Sequence, residues 1–355
     1  PEELLEIFKL LTWAKAALTD SEQIPTAELE RALQRIAPSL RTLRHANGNL
    51  VRFQGGDQGM EGMLDTALAA CGIKSRNSDG LTMGYARLSA GRTSVIIDAG
   101  PPATGNASYN AHASTLAFEL TSGRRPLIVS CGSGAHLGPD WHRAGRATPS
   151  HSTLCLGGYS SARLGKPVKT SGLFREFLVE APKIVPVEMS QTAEGVKFEG
   201  AHSGYVPPFG LTHARKLSLS LDGRSLVGED LLIALNDTTG KAAETVLSED
   251  IDPNVDFQIR FHLHPEVDAA LDLGGTTVAI AAKSGEIWIF RHESNLFLTI
   301  EPGVYLEKNQ PTPRASRQIV LSGMVNDALT RAQWSLSKTQ DTAMAIRDLR
   351  LEELR

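Results

Sequence analysis

Apolar positions along this chain change their period once, near Leu81, and the change divides it in two. Before that point they recur at helical spacing: Leu4, Ile7, Phe8 and Leu11, then Leu29, Leu33 and Ile36. The pattern predicts a first helix, then a second that starts near Pro25-Thr26 and is ended or kinked by Pro38. A turn at Asn47-Gly48-Asn49 and the short segment Leu50-Val51-Arg52-Phe53 precede a third helix, from about Gly59 to Ala70, stopped by Gly72. So few helices with such short joints read as part of a helical array. The chain opens at Pro1, inside a helical pattern and without an initiator Met, so the expectation is a piece of a longer protein.

Beyond Leu81 the pattern shortens to alternating or β-rich runs. These include Thr93 to Asp98, Leu127 to Ser130, Ser152 to Leu156, Leu217 to Leu221, Phe257 to Leu263, Thr276 to Ala282, Ile287 to Arg291 and Arg317 to Leu321. Turn signals such as Asp222-Gly223, Ser284-Gly285 and Pro302-Gly303 separate them. No helical pattern of about ten residues interrupts the series, which argues against a parallel βαβ sheet and for a large antiparallel sandwich. The predicted division is 1–80 helical, 81–337 β-sandwich and 338–355 a charged helical tail.

Within the β region the stretch Tyr109 to Leu120 stands out. Read as a strand, it puts Asn110, His112 and Ser114 on one face, continued by apolar Leu116, Phe118 and Leu120. That is the pattern of a strand emerging from a core into a cleft. His151 follows in Ser150-His151-Ser152, and imidazoles on adjacent strands can share a metal if a further ligand is supplied.

Other features are blander. His262 and His264 share a strand face but have no further ligand candidates nearby, and Pro265 ends regular pairing, so they read as structural. Asp272-Leu273-Gly274-Gly275-Thr276-Thr277 looks like the phosphate loop of actin-like sugar kinases but reads better as a loop between strands. No nucleophile elbow, Walker loop or dinucleotide fingerprint is present.

Composition adds limits. With 355 residues, 41% hydrophobic and 21% charged, the chain can bury a sizeable core. No apolar run approaches the roughly 20 residues of a membrane span. A net charge of −4 argues against general nucleic-acid binding. Cys71, Cys131 and Cys155 are too far apart for a CxxC zinc site or a disulfide framework. Charge is unevenly placed: from Pro101 to Arg175 eight Lys and Arg face only Glu119 and Asp140, a local +6 that suggests an anionic ligand.

The run Asn110-Ala111-His112-Ala113-Ser114-Thr115-Leu116-Ala117-Phe118-Glu119-Leu120, with Ser122-Gly123-Arg124-Arg125-Pro126-Leu127-Ile128-Val129, resembles the signature strand pair of the heparinase II/III-like polysaccharide lyases. Arg146-Ala147-Thr148-Pro149-Ser150-His151-Ser152-Thr153, Arg260 to Pro265 and Asn47 to Phe53 match further family segments. The resemblance implies the end of an α/α toroid followed by an antiparallel β-sandwich. It implies β-elimination on an anionic, uronic-acid-containing polysaccharide, in the periplasm or cell envelope. In that chemistry a base removes the proton beside a carboxylate, cations neutralise the carboxylate, and a donor protonates the leaving oxygen.

Carried onto this chain, the resemblance places Asn110 and His112 in the cleft, with Asn110 at a catalytic position, Tyr109 and Tyr159 as candidate proton donors, and Arg143, Arg146 and Arg163 as candidate substrate-binding cations. It makes His112 and His151 candidate zinc ligands. Two departures stand out: Asn110 replaces the family's first His, and Ser130 replaces its zinc Asp. Cys131 is a candidate substitute ligand, although a position one residue along faces the other side of a strand unless a bulge intervenes. The alternative to a lyase is a non-catalytic protein that binds anionic carbohydrate or belongs to the cell envelope.

Overall fold

The computed structural model describes residues 1–73, 80–170, 172–234, 255–292, 296–325 and 328–339. The predicted tail lies almost wholly outside them. Three helices come first, α1 (Glu2–Asp20), α2 (Ala27–Thr42) and α3 (Met63–Ala70). α1 buries Leu5, Phe8 and Thr12, which recur along one helical stripe. Thr26 caps α2 by accepting a hydrogen bond from the Leu29 amide.

α2 does not end at Pro38; it runs through to Thr42. Leu33, Ala37 and Leu40 are fully buried at i, i+4 and i+7, and Leu43 continues the same core. That burial outweighs the roughly 3 kcal/mol that an interior proline costs a helix.

Strands follow: β1 (Tyr85–Ala90), β2 (Thr93–Asp98), β3 (Phe118–Ser122) and β4 (Arg125–Val129). After the short α4 (Pro139–Gly145) come β5 (Leu154–Leu156), β6 (Arg163–Leu164), β7 (Val168–Thr170), β8 (Leu173–Arg175), β9 (Leu178–Glu180), β10 (Val187–Gln191) and β11 (Gly195–His202). A turn of helix, α5 (Val206–Phe209), leads to β12 (Thr212–Ser220), β13 (Ser225–Ile233), β14 (Val255–Leu263), β15 (Val267–Asp272), β16 (Thr277–Ala282), β17 (Ile287–His292), β18 (Phe297–Tyr305), β19 (Arg314–Val325) and β20 (Leu329–Lys338). The predicted runs fall within or overlap these strands. Asp272 to Thr277 is the loop joining β15 to β16, as its bland reading held.

Two large antiparallel sheets face each other. One orders β1-β2-β3-β4-β14-β19-β18, with β5 also on β14; the other orders β10-β11-β12-β13-β20-β17-β16-β15. Their inner faces meet over aromatic side chains: Phe118 stacks on Trp334 at 5.6 Å and Phe261 meets it edge-on at 4.8 Å. β2 is buried along its whole length because both its faces are covered. Val95 and Ile97 point into the sandwich, while Ile96 points outward into the core shared with α1–α3.

A buried carboxylate fastens the helical segment to the sheet. Glu119 accepts from the Arg52 amide at 3.3 Å and the Ser130 amide at 3.1 Å, and meets His45 Nε2 at 3.1 Å. Among the described residues no helix is long and apolar enough to cross a membrane.

Candidate functional site

The predicted strand over Tyr109 to Leu120 is not continuous. β3 begins only at Phe118; Gly105–Asn110 is a 3-10 turn, and the backbone between is irregular. Leu116 adopts a left-handed conformation (φ 64°) yet keeps its side chain in the core. Three contacts hold this shape. The Leu116 amide donates to Asp98 O at 2.7 Å, its carbonyl accepts from Arg215 at 2.8 Å, and Ala113 N–H donates to Arg146 O at 2.8 Å. Asn110, His112 and Ser114 therefore share no strand face.

His112 is sealed inside. Its amide donates to Gln54 Oε1 at 2.9 Å, and its Nδ1 lies 3.1 Å from His151 Nε2. His151 Nδ1 in turn lies 3.2 Å from Ser130 Oγ. Burial drives the His112 pKa well below the ordinary imidazole value and lowers that of His151 to about 3, each helped by a neighbouring imidazole. Both rings are neutral at pH 7, each with its own N–H, and one of those N–H groups bridges the two nitrogens. His112 Nε2 is buried without a partner among the described residues.

This donor set does not fit the zinc ion that the family resemblance implies. Two imidazoles and a hydroxyl fall short of the three or four nitrogen, sulfur or carboxylate ligands zinc takes. No group of three His, Cys, Asp or Glu able to hold a metal occurs among the described residues. Cys131 does not supply the missing ligand. Its Sγ sits 3.3 Å from His262 Nδ1, and burial pushes the thiol up to about 12, so it is no thiolate. His262 Nε2 donates to Pro149 O at 2.8 Å, and His264 packs edge-on to Tyr305 at 5.1 Å, both holding structure.

Tyr109 and Asn110 are half-buried at the end of the 3-10 turn. Tyr109 OH and Asn110 Nδ2 each donate to Glu3 Oε1 at 3.2 Å, and the Arg175 guanidinium lies 4.8 Å from the Tyr109 ring. Beneath them a polar knot was missed by sequence reasoning. Gln54 (φ 51°) donates through Nε2 to Asp98 Oδ2 at 2.7 Å, and Ser114 Oγ donates to the same oxygen at 2.5 Å. Burial outweighs these bonds and raises the Asp98 carboxyl to about 6. A carboxylate directly after the apolar run Val95-Ile96-Ile97 was the available signal.

Tyr159, Arg143, Arg146 and Arg163 do come together, lining a groove of about 1020 Å³ with Lys183. Tyr159 is 56% exposed there, its ring edge-on to Phe209 at 5.3 Å. Arg146 is only 1% exposed, and its guanidinium donates to Ala111 O, Glu176 O and Ser108 O at 2.8, 2.9 and 2.6 Å. The structure thus gives it another task than substrate binding: it clamps the turn that presents Asn110. Arg143 is ion-paired with Glu176, and Arg163 with Glu180. The local +6 is trimmed by two carboxylates that lie just beyond the end of the window at Arg175.

Residues 73–339 match the family described as heparinase II/III-like, C-terminal. FtsZ-localized protein C of Caulobacter vibrioides (strain NA1000 / CB15N) is 30% identical over 349 residues, covering 96% of this chain and 57% of that protein. A heparinase III gene product matches at TM-score 0.69 and 12% identity, covering 97% of this chain and 52% of its own. Heparan sulfate lyase HepC of Pedobacter heparinus matches at TM-score 0.62 and 12% identity, over 95% of this chain and 51% of its own. The chain spans little more than half the length of each of these relatives, and at such identity the lyase structures bear on the fold alone. The chain belongs to the heparinase II/III-like family, whose C-terminal antiparallel β-domain it carries.

Proposed function

We propose that this chain is the C-terminal part of a lyase-derived protein that binds an anionic polysaccharide without cleaving it. One observation carries the reading: among the described residues no imidazole faces the cleft, and the carboxylate in its lining, Glu180, is ion-paired with Arg163. Asn110 stands where the family motif has its first His, and an amide cannot take a proton. The two imidazoles beside it, His112 and His151, are 1% and 0% exposed and bonded to each other. Tyr109 is engaged with Glu3, which leaves Tyr159 as a proton donor with no imidazole beside it in the groove. Binding falls to Arg143, Arg163 and Lys183; the ion pairs of the two arginines with Glu176 and Glu180 are weak enough to exchange for a ligand carboxylate.

In the same proposal residues 1–80 are the last helices of an α/α toroid, 81–337 the β-sandwich, and 338–355 a tail. The setting is the periplasm or cell envelope. The full-length protein, incubated with uronate polymers and followed by ultraviolet absorbance, is expected to form no unsaturated product. It is expected to retain polymer on an affinity column, with several-fold weaker retention after Arg143→Ala with Arg163→Ala. Product formation, or retention indifferent to those substitutions, overturns the reading.

A second reading rests on the 30% identity with FtsZ-localized protein C, far above that with the lyases. Here the partner is FtsZ. Cosedimentation of the full-length protein with FtsZ polymers, unaffected by added polysaccharide, favours it over the first.

A further inference from the structure

Two hairpins carry the same tip, Gly-Arg. Gly91-Arg92 joins β1 to β2, and Gly123-Arg124 joins β3 to β4. Because Thr93 pairs with Ser122 in the β2–β3 ladder, the two tips lie side by side. They stand at the opposite end of these strands from Asp98 and the His112 loop. The Ser284-Gly285 turn of the other sheet joins them, and together they line a groove of about 580 Å³, within the size range of small-molecule sites.

The tips are rigidly built. Gly91 and Gly123 have φ of 52° and 55°, and Gly123 N–H donates to Arg92 O at 2.6 Å. A Cβ on Gly123 would come within 2.8 Å of the Arg92 guanidinium, so that side chain lies directly over the glycine. Gly91 abuts the Asp222-Gly223 turn of the facing sheet, and Thr93 Oγ1 donates to Gly223 O at 2.6 Å.

Arg87, Arg92, Arg124 and Arg125 line this groove. Arg87 is fixed by Ser89 Oγ, Thr42 O and Arg44 O, all without charge compensation. Arg92 and Arg124 have no carboxylate partner among the described residues, and Arg125 approaches Glu266 only to 3.9 Å. The one carboxylate in the lining, Glu286, is already bridged by Lys338 Nζ at 2.7 Å.

A second observation is independent of charge. Ser122 is 2% exposed, and its Oγ has no partner among the described residues; the Oγ of Ser284 and Oε2 of Glu286 are likewise buried and unpartnered. Buried polar atoms normally find a hydrogen-bond partner, and here three without one fall in one groove lined by four guanidiniums.

We propose that this groove binds the phosphate monoester of a polyol, such as a sugar phosphate. The guanidiniums and the two serine hydroxyls meet the phosphate oxygens, whose three terminal atoms accept from several donors at once. Glu286 Oε2 accepts a hydroxyl of the polyol. A dianionic monoester matches four clustered cations better than a singly charged sulfate ester does.

The test is isothermal titration of the full-length protein at constant physiological ionic strength, with glucose 6-phosphate, inorganic phosphate, glucose 6-sulfate and glucose. Saturable one-site binding is expected in the order glucose 6-phosphate, then phosphate, then sulfate ester, with none for glucose. Arg92→Ala with Arg124→Ala removes two exposed, unpartnered side chains. It should raise the Kd at least about tenfold, the equivalent of one charge-assisted hydrogen bond, with an unchanged melting temperature. Arg143→Ala, in the other groove, should change nothing. Absence of saturable binding, equal affinity in the double variant, or equal affinity for the phosphate and sulfate esters overturns the proposal.

Discussion

Acid should unfold this protein through its buried histidines, and the size of the effect follows from their surroundings. His151 and His262 are 0% and 3% exposed, with pKa values lowered to about 3 and about 4. In the unfolded chain each returns to about 6.5. A group whose folded value is depressed lets the unfolded state bind more protons, so its stabilising effect is whole above about 6.5 and drains away as pH falls toward the folded value. At pH 5 each imidazole is nearly all protonated when unfolded and neutral when folded. That difference is worth about 2 kcal/mol per residue relative to pH 7.

Asp98 opposes this. Its carboxyl is raised to about 6, so the folded state takes up its proton first and gains about 1 kcal/mol over the same interval. His112, His202 and His213, all lowered by burial, add to the loss. The net expectation is a fall of at least about 3 kcal/mol between pH 7 and pH 5, a large share of a typical domain's 5–15 kcal/mol. Urea denaturation followed by tryptophan fluorescence at both pH values measures it, since Trp288 and Trp334 are buried. His151→Gln should shrink the difference by about 2 kcal/mol whatever it does to stability at pH 7. A difference under about 1 kcal/mol, or one that His151→Gln leaves unchanged, refutes the reasoning.

Two further predictions concern buried polar partners. Asp230 accepts from Arg215 Nε at 2.8 Å, His213 Nε2 at 2.8 Å and Trp334 Nε1 at 2.9 Å, so Asp230→Asn strands a buried guanidinium; it should cost about 3–5 kcal/mol by urea denaturation. Ser130→Asp should supply the missing carboxylate beside His151 and His112. Without metal it lowers the melting temperature; with zinc it restores it and gives near-stoichiometric metal by elemental analysis, while the unaltered protein responds to neither.

What the sequence made legible, and what it hid, follows from how local each determinant is. β2 could be read to its last residue because alternation and turn residues are properties of neighbours in the chain. The continuation of α2 past Pro38 could not, because it depends on Leu40 and Leu43 reaching a core assembled from α1, α3 and the outer face of β2. The His112 loop is the same case at the site. Nothing local marks Leu116 for a left-handed backbone; Arg215, 99 residues on, holds its carbonyl, and Arg215 is itself oriented by Asp230. Charge behaved likewise, since Arg143 and Arg163 looked free only in a window closed before Glu176 and Glu180.

These long-range contacts also bear on the function. A general base must reach the proton it removes. Here Gln54, Arg146 and Arg215 fasten the loop from three directions and turn His112 toward His151 instead of outward. Restoring Asn110→His alone would place an imidazole beside Glu3 on that fastened loop, without freeing either buried ring. On the proposed reading, the absence of a base at Asn110 is matched by a loop whose two imidazoles are buried against each other.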